Sequence, residues 1–139
     1  METINFTLDV VPRTKKNSQR VITGYSKGSG KRYTKVLPSK LYEDFEYECD
    51  LLIPKELRKG IKTPVNVKAI FYVESRRKID LTNLLEALDD MLVMTGVLDD
   101  DCRDIIAGHD GSRVYYDKCF PRIEVTIEDM PDFKQWKGA

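Results

Sequence analysis

The chain has only three cysteines in 139 residues, Cys49, Cys102 and Cys119. They are odd in number and lack zinc-type spacing, which excludes a disulfide framework and reads as reduced thiols of a cytoplasmic protein. No apolar run approaches the length of a membrane span, and METINFTLDV has no basic-then-apolar leader pattern. Internal repeats, low-complexity tracts and linkers are also missing. Apolar residues at 41 % and charged residues at 33 % exclude a disordered chain. What remains is one soluble globular domain over residues 1–139, long enough to build a core without staples.

Two further absences are local. Residues 11–40 hold no Asp or Glu but nine Lys or Arg: Arg13, Lys15, Lys16, Arg20, Lys27, Lys31, Arg32, Lys35 and Lys40. Residues 79–102 hold no Lys or Arg but seven Asp or Glu. The zero net charge hides this separation. Like charges repel, so a uniformly mixed surface is a poor explanation. Either the basic segment meets phosphates and the acidic one a divalent cation, or the two neutralise each other across the fold.

Periodicity orders the elements. INFTLDVV alternates Ile4, Phe6, Leu8 and Val10 with mostly polar residues, as a half-buried strand does, and Pro12 ends it. RVITGYSKGSGKRYTKVLP predicts a hairpin about a Gly/Ser turn at Lys27 to Gly30. Ser39 caps a first helix with Leu41, Phe45, Cys49 and Leu52 on its apolar side, and Pro54 stops it. Val65, Val67, Ala69, Phe71 and Val73 mark a strand. Asp80 caps a second helix with a stripe of Leu81, Leu84, Leu85, Leu88, Met91, Leu92 and Thr95, closed by Gly96. IIAGHDGSRVYY and RIEVTIE read as closing strands, with one of Tyr115 and Tyr116 in the core. Residues from about 129 to 139 have no period and read as loose, although Phe133 and Trp136 could dock on the body. This order implies an α/β (α+β) fold of two layers, a mixed β-sheet packed against two main helices.

The stretch ESRRKIDLTNLLEALDDM changes sign within a few residues: Arg76, Arg77 and Lys78 run into Asp80. Phosphodiester cleavage needs an activated water and relief of charge on the phosphate, and carboxylates holding Mg²⁺ supply both. Asp80 and the triplet Asp99, Asp100, Asp101 are the candidates, although a DDD run alone is more often a solvated turn. Thr82, Asn83, Glu86, Asp89 and Asp90 form the polar face of the helix and read as surface groups. His109, the single histidine, reads as structural.

These residues resemble the RusA-like Holliday-junction endonucleases, which are common in prophages and phages. That family carries a basic run, then D-x-D-N-L-x-K opening a helix, a glycine at the helix end and an acidic pair. RRKIDLTNLLEALDD, Gly96 and VLDDD follow the pattern without a gap, and PRTKKNSQR is similar to the family's segment after the first strand. The resemblance spans residue 3 to about 127. It implies a Mg²⁺-dependent (or Mn²⁺-dependent) endonuclease that resolves four-way junctions in DNA recombination and repair, working as a homodimer on branched DNA. Asp80 matches the first motif aspartate, Asn83 the asparagine and Asp101 the catalytic aspartate. Thr82 stands where a second aspartate is usual and Glu86 where a lysine is usual. Implied metal ligands are Asp80, Asp101, Asp100, Thr82 and Glu86. Lys15, Lys16, Asn17, Arg20, Arg76, Arg77 and Lys78 are the implied DNA contacts. Because of the two departures, a junction-binding protein with impaired catalysis is the alternative.

Overall fold

A computed structural model of the chain describes residues 1–15, 20–37 and 39–133, the side chains at 20–22 and 36 excepted. Lys16, Asn17, the Arg20 side chain and Trp136 therefore lie outside the described residues. The main sheet contains β1 (Ile4–Leu8), β4 (Val65–Val73), β5 (Ile106–Gly108), β6 (Arg113–Tyr116) and β7 (Arg122–Asp129). Antiparallel pairing joins β1 to β7 and β7 to β4, while β5 and β6 both lie parallel to β4. The sheet is thus mixed, as expected. A parallel pair needs a long crossover, and helix α2 (Leu81–Met94) supplies it between β4 and β5. The predicted hairpin, β2 (Arg20–Tyr25) with β3 (Arg32–Leu37), forms a separate two-stranded sheet.

One core fills the space between sheet and helices. Val65, Val67, Ala69, Phe71 and Val73 of β4, with Ile123, Val125 and Ile127 of β7, are all buried in one cluster with Leu84, Leu88, Met91 and Leu92 of α2. A one-residue slip would turn every one of these side chains to the other face, so the burial pattern fixes the register. Helix α1 (Lys40–Leu52) begins where Ser39 Oγ accepts the Tyr42 N–H at 3.1 Å.

Two expectations are corrected. In α1 the buried stripe is Tyr42, Phe45 and Cys49, continued by Ile53, whereas Leu41 and Leu52 are 51 % and 45 % exposed. Both stripes have helical spacing. The helix turns to bury the larger Tyr42 ring, whose centroid lies 5.8 Å from that of Phe45. Neither Tyr115 nor Tyr116 enters the core. Tyr115 stacks on Tyr72 at 5.7 Å, and Tyr116 receives the Arg76 guanidinium at 4.8 Å. Beyond β7 the chain stays hydrogen-bonded, through Met130 N–H to Pro64 O and Phe133 N–H to Met130 O.

Candidate active site

The residues between β4 and α2 leave the C-terminal end of this interior strand as an exposed basic run, Arg76–Arg77–Lys78, and enter the helix at Asp80. Asp80 is the N-cap residue, yet its carboxylate makes no capping bond. Its Oδ2 accepts from Asn83 Nδ2 at 3.3 Å, and the side chain is exposed at the helix mouth. From there Thr82, Glu86 and Asp89 follow at spacings of four and three, which puts them on one helix face.

The return from α2 is tightly directed. Gly96 takes φ +83°, which a glycine adopts without strain, and reverses the chain. Val97 and Leu98 are then buried, and Leu98 bridges to Ile61 while Asp99 N–H donates to Ile61 O at 3.0 Å. This anchored path delivers Asp101 to the polar face of the same helix. Thr82, Leu85, Glu86, Asp89, Asp101 and His109 together line a cleft of about 230 Å³. Asp101 thus meets Thr82 and Glu86 within one chain.

The cleft is strongly anionic. Asp101 has its carboxyl pushed upward, by desolvation first and then by its bond to Asp100 and the charges of Asp90 and Asp100. Asp100 also accepts the Asp101 backbone N–H at 2.8 Å, which sets the geometry of the pair. Asp89 is pushed upward by burial, with the charges of Asp101 and Asp90 adding to it and the His109 bond opposing it. One cation already serves this face: Lys15 forms an ion pair with Asp90 and lies 5.7 Å from the Tyr42 ring centroid.

His109 is held from two sides. One ring nitrogen, Nδ1, is 2.9 Å from Val67 O, and the other, Nε2, is 2.9 Å from Asp89 Oδ2. The Val67 carbonyl can only accept, so Nδ1 carries a proton, and the ring is an imidazolium whenever Asp89 is a carboxylate. The Asp89 bond raises the His109 pKa against the opposing effect of burial. The loop carrying His109 is itself clamped to β4. Asn66 Nδ2 donates to Asp110 O at 3.1 Å, Asp110 N–H donates to Asn66 Oδ1 at 2.8 Å, and Ala69 N–H donates to Ser112 Oγ at 3.1 Å.

A second, larger cleft of about 460 Å³ takes Arg77 and Lys78 of the basic run. Arg13, Leu41, Glu74, Ser75, Arg77 and Lys78 are among its lining residues. Arg13 pairs with Glu74 at 3.5 Å, leaving Arg77 and Lys78 on the wall with no ion pair among the described residues. Of the candidate ligands, Thr82, Glu86 and Asp101 share the acidic cleft, Asp100 buttresses Asp101, and Asp80 sits outside the lining at the helix mouth. Asp89, His109 and Arg13, expected as a surface group, a structural histidine and one cation of the basic segment, stand at the two clefts. The four-and-three spacing from Thr82 through Glu86 was the available sign for Asp89, whereas no local signal joins His109 to it.

Does this cleft suit a divalent cation? Among the described residues no three Asp, Glu, His or Cys side chains converge closely enough to enclose an ion. The donors around the cleft are nevertheless oxygens apart from His109, the preference of hard cations. One buried oxygen, Asp89 Oδ1, has no hydrogen-bond partner among the described residues. An orphaned carboxylate oxygen amid like charges fits a cation better than it fits a neutral partner.

No helix among the described residues is long and apolar enough to cross a membrane. Comparison with curated proteins gives no match. Against protein families, the sequence pattern described as Endodeoxyribonuclease RusA matches residues 9–128, which takes in the basic run, α2 and the acidic return loop. With most of the chain covered, the protein belongs to the RusA endodeoxyribonuclease family.

Proposed function

We propose that this chain is a Mg²⁺- or Mn²⁺-dependent endonuclease that cuts four-way DNA junctions as a two-fold dimer in the cytoplasm. The observation that carries the reading is the meeting of Asp101 with Thr82 and Glu86 at one cleft, on the helix that directly follows the basic run, whose Arg77 and Lys78 line a second cleft. Asp80, Asp101, Thr82 and Glu86 are the groups that would hold the cation, with Asp100 fixing Asp101. Bound there, a divalent ion supplies an activated water and relieves charge on the phosphate.

The remaining roles fall to the protein's own cations. Arg77 and Lys78 hold the phosphate backbone at the cleft wall; Lys16, Asn17 and the Arg20 side chain, the other DNA contacts of this reading, lie outside the described residues. Such contacts position a duplex without reading its sequence. Lys15 serves the fold as well, since its ammonium pairs with Asp90 on the acidic helix. Junction preference calls for two equivalent sites facing two strands, which a C2 dimer provides.

A second reading has specific support. Thr82 and Glu86 depart from the family pattern at two positions on the cleft itself, as a junction-binding protein with impaired catalysis would. Incubation with a labelled four-way junction and with linear duplex, each with and without Mg²⁺, separates the two. Nicking of the junction only with metal supports the enzyme, and a gel shift without any cutting supports the binder.

A further inference from the structure

Beyond Arg20, the β2–β3 hairpin has no part in the reading above. It forms its own sheet apart from the main one, and from Thr23 to Lys35 every residue except Gly24 is exposed. A lone two-stranded hairpin is marginal in water, because it has no second layer to bury a face against. This one is braced from within. Ser26 N–H donates to Lys31 O and Gly30 N–H to Ser26 O, both at 2.9 Å, and Gly30 takes φ +65° in the turn. The Tyr33 ring lies across Gly24, where a Cβ would come within 2.7 Å of it. A ribbon shaped by its own bonds keeps both faces available to a partner.

Its chemistry selects that partner. Lys27, Lys31, Arg32 and Lys35 make no ion pair among the described residues, and residues 11–40 contain no Asp or Glu. Successive rungs of the hairpin point to opposite faces, so Tyr25 and Arg32 share one face while Tyr33 and Lys35 share the other. Tyr25 and Tyr33 are 66 % and 48 % exposed. Each face therefore offers a cation and a tyrosyl hydroxyl, and both bond phosphate oxygens. Strands about 4.8 Å apart make a ribbon that enters the major groove of DNA, about 12 Å wide, but not the minor groove, about 6 Å wide.

The hairpin is also rooted in the right place. Arg13 before it and Leu41 after it both line the cleft that takes Arg77 and Lys78. Leu41 is four residues past Leu37, which keeps the end of β3 within about 14 Å of that cleft. We infer that the β2–β3 hairpin is a DNA-binding arm that lies in the major groove of one duplex arm, with Lys27, Lys31, Arg32 and Lys35 neutralising phosphates on both groove walls. The inference rests on the DNA-binding part of the reading above, and its test keeps the two apart.

Affinity is measured by fluorescence anisotropy on the full-length protein, with a labelled four-way junction in EDTA so that no cutting enters, over a series of salt concentrations. Wild type is compared with the quadruple variant Lys27→Gln, Lys31→Gln, Arg32→Gln, Lys35→Gln, with the double variant Arg77→Gln, Lys78→Gln, and with the surface control Lys62→Gln. All four hairpin cations are exposed, so their replacement leaves the core intact, which thermal unfolding checks. The quadruple variant should bind at least about tenfold more weakly near about 0.1 M salt. Its log–log slope should fall by about 1.8 to 3.6, for two to four phosphate contacts at about 0.9 each. Lys62→Gln should change neither. Dimethyl sulfate locates the arm, because it methylates guanine N7 in the major groove and adenine N3 in the minor groove. Wild type should protect guanine N7 on a duplex arm, and the quadruple variant should lose that protection.

If the quadruple variant keeps wild-type affinity and slope while the double variant is weakened, the arm is overturned and the DNA-binding reading stands. Hairpin-dependent protection of adenine N3 instead of guanine N7 also overturns the inference. If light scattering shows that the four substitutions split a dimer, the hairpin serves a second copy of the chain, which overturns it as well. A wild type that binds neither junction nor duplex removes both.

Discussion

Replacing Asp101 by Asn should make the metal-free protein slightly more stable while removing most of its stabilisation by Mg²⁺. The sign follows from the upward shift of the Asp101 carboxyl. A carboxyl whose folded pKa lies above its unfolded value holds its proton more tightly in the native state. Ionising it therefore destabilises the fold, fully above the folded pKa and not at all below the unfolded one. At neutral pH the amide removes that penalty and can still bond to Asp100. Because Asp101 is exposed, screening reduces the gain to a few tenths of a kcal/mol, about 1 °C in Tm. Ligand linkage works the other way. At a Mg²⁺ concentration of about 100 times Kd, binding stabilises wild type by about 2.7 kcal/mol, on the order of 10 °C for a domain of this size. An approximately 30-fold weaker site at the same concentration retains about 0.9 kcal/mol, or roughly 3 °C. Thermal unfolding by circular dichroism at pH 7, with and without Mg²⁺, measures both effects. Equal Mg²⁺ shifts in the two proteins would refute the reasoning, as would a metal-free variant several degrees less stable than wild type.

Other expectations concern assembly, DNA and thiols. Asp101 reaches the cleft of its own chain, so mixing Asp80→Asn subunits with Asp101→Asn subunits should yield heterodimers that do not nick junctions; nicking by confirmed heterodimers would point to a site shared between subunits. Charge reversal at Arg77 and Lys78 should weaken binding to every DNA shape and reduce the log–log salt slope by roughly 0.9 per lost phosphate contact on duplex arms, and an unchanged slope would return both side chains to solvent. Burial, followed by Glu48 and Glu46, pushes the Cys49 thiol up to about 12, while Cys102 and Cys119 are exposed. A thiol reagent should therefore titrate two groups in the native protein and a third only in denaturant.

Much of this architecture is written in local periodicity. The alternation from Val65 to Val73 is unambiguous because every second residue is buried in the one core cluster. The stripe of α2 is equally plain, with Leu84, Leu88, Met91 and Leu92 spaced by four and three. Helix α1 is harder to orient, since Leu41 and Tyr42 are adjacent and either begins a valid stripe; only the partner surface decides between them. Similarly, nothing in β2 and β3 tells that their hairpin stays off the main sheet.

The candidate site divides along the same line. The basic run, Asp80 and Asp101 are visible because the resemblance carries them at fixed spacing. Asp89 and His109 are twenty residues apart, and a crossover, a clamped loop and the Val67 carbonyl are needed to join them. Charge segregation was legible, but its meaning was not. Lys15 does neutralise Asp90 across the fold, as one reading required, while Arg77 and Lys78 belong to the separate run after β4 and line a different cleft.

The most direct measurement is cleavage of a labelled four-way junction by the wild-type protein, set beside a linear duplex of the same arm sequence. With Mg²⁺, paired nicks should appear across the junction while the linear duplex remains whole, and chelation of the metal should abolish them. Intact junctions at every Mg²⁺ and Mn²⁺ concentration, with binding still evident by gel shift, would contradict nuclease activity and leave a junction-binding protein.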